Sequence, residues 1–156
     1  MVQDFTASVT VKITWETLHR DTLELVRRLK QGGRYRGIIA VARGGMVPAA
    51  IVARELDMRL VDTVCIVSYD DRVQQDGEPT VLKPVEGDGE GWLVIDDLVD
   101  SGATFRHLRK MLPKAHYATV YAKPRGRDAA DTTVVSVEQD LWLVFPWDDE
   151  PEAGRE

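Results

Sequence analysis

Cysteine is nearly absent from this chain: Cys65 is the only one in 156 residues. A single thiol excludes an intrachain disulfide and any thiolate-rich metal centre. Its setting, Val64-Cys65-Ile66-Val67, predicts a small buried side chain. The three histidines, His19, His107 and His116, lack ligand spacing and are assigned no chemistry. No apolar run approaches the ~20 residues that a membrane-spanning helix needs. The start, Met1-Val2-Gln3-Asp4-Phe5, lacks the basic and apolar regions of a secretory signal. A soluble, cytoplasmic domain is therefore the expectation. Positive charge is also in deficit, with 20 Lys plus Arg against 26 Asp plus Glu and a net charge of −6. That balance argues against a nucleic-acid-binding module, which usually carries a basic face.

What remains is an ordinary globular composition, 44% apolar and 29% charged. The length suits one domain over residues 1–156 with a single sizeable core. The charge is uneven. Residues 1–60 hold ten basic and six acidic side chains, and residues 61–156 hold ten and twenty. The acidic end, Asp148 to Glu156, disfavours contact with an anionic membrane surface. Net charge thus says little about the field at any one site.

No internal repeat or Ser/Gly linker divides the chain. Thr14 reads as an N-cap before Trp15, Leu18, Leu25, Val26 and Leu29, an apolar stripe at helical spacing that stops at Gly32-Gly33. A strand over 37–42 meets the break Arg43-Gly44-Gly45, and Pro48 suits the first turn of a helix reaching about Asp57. A strand over about 60–68 precedes a polar, turn-rich loop over about 70–79. Trp92-Leu93-Val94-Ile95 reads as a central parallel strand, apolar on both faces. A helix carrying Phe105, Leu108, Met111 and Leu112 stops at Pro113. Strands over about 116–122, 132–137 and 141–145 complete the series. Alternating strand and helix predicts an α/β fold: a central, mostly parallel sheet flanked by helices. Ligands of such sheets sit outside the carboxyl ends of the strands.

The richest motif falls at such an end: Asp96-Asp97-Leu98-Val99-Asp100-Ser101-Gly102-Ala103-Thr104. It is read as three carboxylates on one strand-to-helix turn, followed by small and hydroxylated residues opening a helix. A helix N-terminus offers unpaired N–H groups and the positive end of a dipole, which suit a phosphate. Ser101 and Thr104 add hydroxyls, and Gly102 and Ala103 allow close backbone approach. Asp96 and Asp97 would repel a phosphate, so they fit sugar hydroxyls or a divalent cation. Together these parts describe a site for a phosphorylated sugar. Caps on a solvated turn would explain the carboxylates alone, but not the hydroxylated helix start that follows them.

This segment resembles the phosphoribosyl-pyrophosphate (PRPP) motif of the type I phosphoribosyltransferases. The resemblance runs from about Val11 to Trp147. It includes the strand end Ala42-Arg43-Gly44-Gly45, the run Glu86-Gly87-Asp88-Gly89-Glu90-Gly91, and Ala122-Lys123-Pro124 and Gln139-Asp140-Leu141-Trp142, which point to the purine-specific branch. It implies the type I phosphoribosyltransferase fold with a flexible hood loop over about 70–79 and a small C-terminal base-binding hood over about 123–148. It implies an Mg²⁺-dependent enzyme of purine salvage. Such an enzyme moves 5-phosphoribosyl from PRPP to N9 of xanthine, guanine or hypoxanthine and releases pyrophosphate. Homodimers or homotetramers are the family's usual assemblies.

The roles the resemblance implies follow position by position. Arg43 and Gly44 would meet the pyrophosphate, beside a non-proline cis peptide between Ala42 and Arg43. Asp96 and Asp97 would hold the ribose hydroxyls, with Asp97 also facing Mg²⁺. PRPP contacts would continue through Leu98, Val99 and Asp100, and Ser101, Gly102, Ala103 and Thr104 would cradle the 5′-phosphate. Asp100 would sit by the purine N7 as the catalytic group that assists proton movement. Lys123 would donate to O6, Trp142 would stack on the ring, and the Leu143 main chain would meet its N1/N2 edge. Taken alone, Arg43-Gly44-Gly45 reads rather as a plain turn, Lys123 as a surface lysine and Trp142 as core. Ala103 stands where the family commonly has Gly, a change that matters only if the backbone there needs positive φ. Arg72 and Lys83 are the candidate cations of the hood loop, and neither is assigned. The alternatives are a hypoxanthine-preferring transferase and a non-catalytic PRPP-binding regulator.

Overall fold

Thr14 starts the first helix as its sequence requires, its hydroxyl accepting the Thr17 N–H at 3.1 Å. The computed structural model describes residues 9–67 and 79–148. Three α-helices lie among them: α1 (Trp15–Gln31), α2 (Met46–Glu55) and α3 (Ala103–Met111). The strands are β1 (Thr10–Lys12), β2 (Gly37–Ala42), β3 (Val61–Val67), β4 (Thr80–Lys83), β5 (Trp92–Val99), β6 (His116–Ala122), β7 (Val135–Ser136) and β8 (Trp142–Val144). The expected loop over about 70–79 lies outside the described residues except for Pro79, as does the chain after Asp148.

Six strands form one sheet in the order β4-β3-β2-β5-β6-β7, parallel except where β4 runs against β3. Alternation along β5 divides the core: Leu93 and Ile95 face the helices α1 and α2, while Val94 faces α3. Leu18, Leu25, Val26 and Leu29 of α1 and Ala49 and Val52 of α2 bury one side. Phe105 and Leu108 of α3 bury the other, with Tyr117 edge-on to Phe105 at 5.0 Å. Tyr121 donates to Asp21 at 2.7 Å, tying β6 to α1 with a buried polar pair.

Two packing expectations change. Trp15 is 55% exposed, because the core covers α1 only from Leu18 onward; its ring lies 6.0 Å from that of Trp147. Cys65 is half-buried, since β3 lies next to the outermost strand β4 and its faces are incompletely covered. A separate two-stranded parallel sheet joins β1 to β8, so an N-terminal strand completes the structure around Trp142.

The sheet order places a topological switch between β2 and β5. From β2 the chain crosses through α2 to β3, and from β5 it crosses through α3 to β6 in the opposite direction. The loops that leave β2 and β5 therefore open a crevice at their carboxyl ends.

Candidate active site

The strand β5 runs four residues beyond the expected Ile95, through Asp96, Asp97, Leu98 and Val99. β6 extends it, pairing Asp96 with Thr119, Leu98 with Tyr121 and Val99 with Ala122. Asp96 and Asp97 thus stand on the strand itself, and only Asp100 lies in the turn to α3. This corrects the reading of three carboxylates on one turn. The extension holds the two acids rigidly: Asp96 Oδ1 accepts the Asp97 N–H at 2.9 Å, and Asp97 Oδ1 accepts the Leu98 N–H at 2.7 Å.

Lost hydration pushes the Asp96 carboxyl well above the ordinary carboxylate range, and the neighbouring Asp97 charge adds to this. Burial raises Asp97 as well, opposed by hydrogen bonds from Asp96 and the Leu98 N–H. Two crowded carboxyls of this kind suit a cation or the hydroxyls of a sugar. No group of three His, Cys, Asp or Glu that could hold a metal exists among the described residues. The donor set fits Mg²⁺ in its usual mode, with one or two carboxylates and the remaining ligands from substrate phosphates and water.

The turn itself is built around Gly102, whose φ of +87° an L-residue with a side chain rarely adopts. Ala103 has no positive φ and begins α3, so its methyl is accommodated. Ser101 Oγ accepts the Ala103 N–H at 3.3 Å. The Arg106 guanidinium straps the loop, donating to the carbonyls of Ser101 at 2.7 Å and Arg125 at 3.1 Å. Thr104 lies in the first turn of α3, whose N–H groups face the crevice end of the helix.

On the facing side, the Ala42–Arg43 peptide is cis, as the resemblance implies. Gly44 lies directly against Asp97: a Cβ there would sit 2.5 Å from Asp97 Oδ2 and 2.8 Å from Cγ. Gly45 packs on the Ile95 carbonyl just as closely. Arg43 is exposed beside these contacts. The loop after β2 and the acids of β5 therefore share one wall.

The third wall is polar and connected. Lys123 is only 4% exposed, which removes the surface-lysine reading. Its N–H donates to the Val99 carbonyl at 2.9 Å, and its Nζ donates to Asp100 Oδ2 at 3.2 Å. Gln139, which sequence reasoning gave no role, donates through Nε2 to Asp100 Oδ1 at 2.7 Å. Its Oε1 accepts the Arg125 N–H at 2.9 Å. Its sequence signals were a polar residue just before an apolar strand and its place in the Gln139–Trp142 run that carries the resemblance.

Trp142 is 48% exposed, so it is a surface aromatic and not core. Its N–H bonds to the Val9 carbonyl, and the Val144 carbonyl accepts from Ile13 at 2.8 Å. Strand alternation then turns the Leu143 amide and carbonyl to the opposite edge. Lys83 is held by Asp62 at 2.9 Å and the Thr63 carbonyl at 2.6 Å, fixed to the sheet; Arg72 lies outside the described residues.

A family model described as a phosphoribosyl transferase domain matches residues 22–152. The chain is 60% identical over 138 residues to a xanthine-guanine phosphoribosyltransferase of Nitratidesulfovibrio vulgaris, covering 88% of this chain and 84% of that one. It is 55% identical over 152 residues to the protein of the same name from Desulfotalea psychrophila, covering 94% of each. Its structure is similar to a purine phosphoribosyltransferase of Pyrococcus horikoshii, with a TM-score of 0.79 at 26% identity, covering 94% of this chain and 99% of that one.

Proposed function

The chain belongs to the phosphoribosyltransferase family, and from that premise we propose that its crevice carries out purine salvage. The reaction transfers 5-phosphoribosyl from PRPP to N9 of guanine, xanthine or hypoxanthine and releases pyrophosphate. The single observation that carries the assignment of roles is the pairing of the buried Lys123 ammonium with Asp100, just beyond the end of the extended β5.

PRPP lies across the crevice with its 5′-phosphate against Ser101, Gly102, Ala103 and Thr104. Backbone N–H groups and two hydroxyls supply donors there without a large positive charge. Asp96 and Asp97 accept from the ribose hydroxyls, and the Arg43-Gly44 loop faces the pyrophosphate. Asp97 would hold Mg²⁺, which when bound with PRPP neutralises charge on the departing pyrophosphate.

The purine stacks on Trp142 and presents its N1/N2 edge to the Leu143 main chain. The Lys123 ammonium donates to O6. A 6-amino group cannot accept that bond, so adenine forfeits the contact and sets a donor against the lysine. As the base nitrogen bonds to C1′ and the bond to pyrophosphate breaks, Asp100 takes the proton that the purine sheds. Most of the rate enhancement comes from positioning and electrostatics. The proposed assembly is a homodimer or homotetramer. Among the described residues, no helix is long and apolar enough to cross a membrane.

The test is incubation with Mg²⁺, PRPP and each of guanine, xanthine, hypoxanthine and adenine, with nucleotide separated by chromatography. Nucleotide is expected from the 6-oxopurines and far less from adenine. No product from any 6-oxopurine would overturn the proposal. A kcat/KM for hypoxanthine far above that for xanthine and guanine would favour the narrower transferase.

A further inference from the structure

Gln139 holds both ends of its amide in fixed and different company. Its oxygen accepts a backbone N–H, that of Arg125, at 2.9 Å. A backbone amide can only donate, so the oxygen must face it and the NH₂ must face Asp100. The resulting Nε2–Oδ1 bond of 2.7 Å joins an amide to a carboxylate thirty-nine residues away in sequence. Asp100 Oδ2 is engaged separately by Lys123 Nζ. The backbone point that Gln139 grips lies two residues after Lys123, in a turn where the Arg125 carbonyl accepts from Arg106 and the Lys123 carbonyl from the Gly126 and Arg127 N–H groups.

We infer that Gln139 is a positioning residue for the transfer reaction: it fixes the Asp100 carboxylate while Lys123 turns its ammonium to the purine. The inference rests on the function proposed above. Asp100 and Lys123 pair with each other. A 6-oxopurine that recruits Lys123 weakens that pair just when Asp100 must point at the base and accept a proton. Gln139 is the remaining side-chain donor shown on Asp100, and its own anchor is main chain, which does not leave when substrate arrives. A glutamate at this position would turn a carboxylate oxygen toward Asp100 and reverse the contact.

The protein is tested as the parent, Gln139→Leu and Gln139→Glu, each alone and with Asp100→Ala. A hydrogen bond to a charged group corresponds to roughly a 10- to 150-fold effect. Gln139→Leu is therefore expected to lower kcat with guanine about tenfold or more, and Gln139→Glu at least as much. The KM for PRPP and the melting temperature should stay near the parent values. In the Asp100→Ala background, Gln139→Leu should change kcat by less than about twofold, because the residue acts through Asp100. A kcat unchanged in both Gln139 variants overturns the inference. So does an equal loss in the two backgrounds, or a loss confined to KM for the base, which would indicate support of the Trp142 segment alone. A parent inactive with every 6-oxopurine overturns the functional proposal itself and the inference with it.

Discussion

Gly44→Ala probes the meeting of the two loops that build the crevice. A Cβ at position 44 would lie 2.5 Å from Asp97 Oδ2 and 2.8 Å from both Cγ and Oδ1. Ordinary carbon contacts sit at about 3.5–4.0 Å, so roughly 1 Å must be found. The Asp97 side chain is short and its Oδ1 is held by the Leu98 N–H at 2.7 Å. The carboxylate can swing away only by breaking that charge-assisted bond, which is worth about 1.5–3 kcal/mol. Converted to an equilibrium, this is a loss of about 10- to 150-fold in any ligand that needs Asp97 in place. Steady-state kinetics with PRPP varied at saturating guanine and Mg²⁺ should show its KM raised by that order, with KM for guanine little changed. Loss of stability should stay within the ~1–3 kcal/mol usual for overpacking, read by thermal melting. A PRPP KM equal to the parent's, in a variant that melts like the parent, would refute the packing argument.

Three further outcomes follow from particular contacts. Asp100→Asn should lower turnover far more than it weakens PRPP binding, measured by comparing kcat with the PRPP dissociation constant; equal losses would indicate a structural role. Tyr121→Phe removes the buried donor to Asp21 at 2.7 Å and should cost about 1.5–3 kcal/mol, a fall of roughly 3–12 °C in melting temperature. An unchanged melting temperature would contradict it. Burial holds the His116 imidazole below its usual pKa of 6.5, and its Nε2 lies 2.8 Å from Thr132 Oγ1. The unfolded chain therefore binds this proton more readily, and stability should fall as pH drops below about 6.5. In His116→Gln the melting temperature should depend less on pH between about 7 and 5; an identical dependence would exclude His116 as a source.

The parallel strands β2, β3 and β6 and the three helices were legible because their signals are local, whereas the antiparallel edge strand β4 was not read. The Thr14 cap, the stripe from Leu18 to Leu29 and the doubly apolar Trp92–Ile95 segment each state their own structure. The limits of β5 were not. Asp96 and Asp97 are poor strand formers, and only pairing with Thr119 to Ala122 carries the strand through them. β1 was missed for a similar reason, since three residues acquire strand geometry only by lying beside β8. In the site, the phosphate-type helix start and the acids could be read from residue type and order. Lys123 and Trp142 could not: their burial and exposure are the reverse of what an isolated lysine and an apolar-flanked tryptophan suggest. Gln139 lay in a run that carried the resemblance, but its role was not legible because it depends on the fold bringing it to Asp100.

The most direct test of the assigned site is a crystal structure of the protein with GMP and Mg²⁺. The account predicts the phosphate on the backbone of residues 101–104, the ribose hydroxyls at Asp96 and Asp97, and the guanine on Trp142 with O6 at Lys123 Nζ. A nucleotide held elsewhere, such as the groove lined by Arg28, Arg127 and Thr132, with the crevice empty, would contradict it.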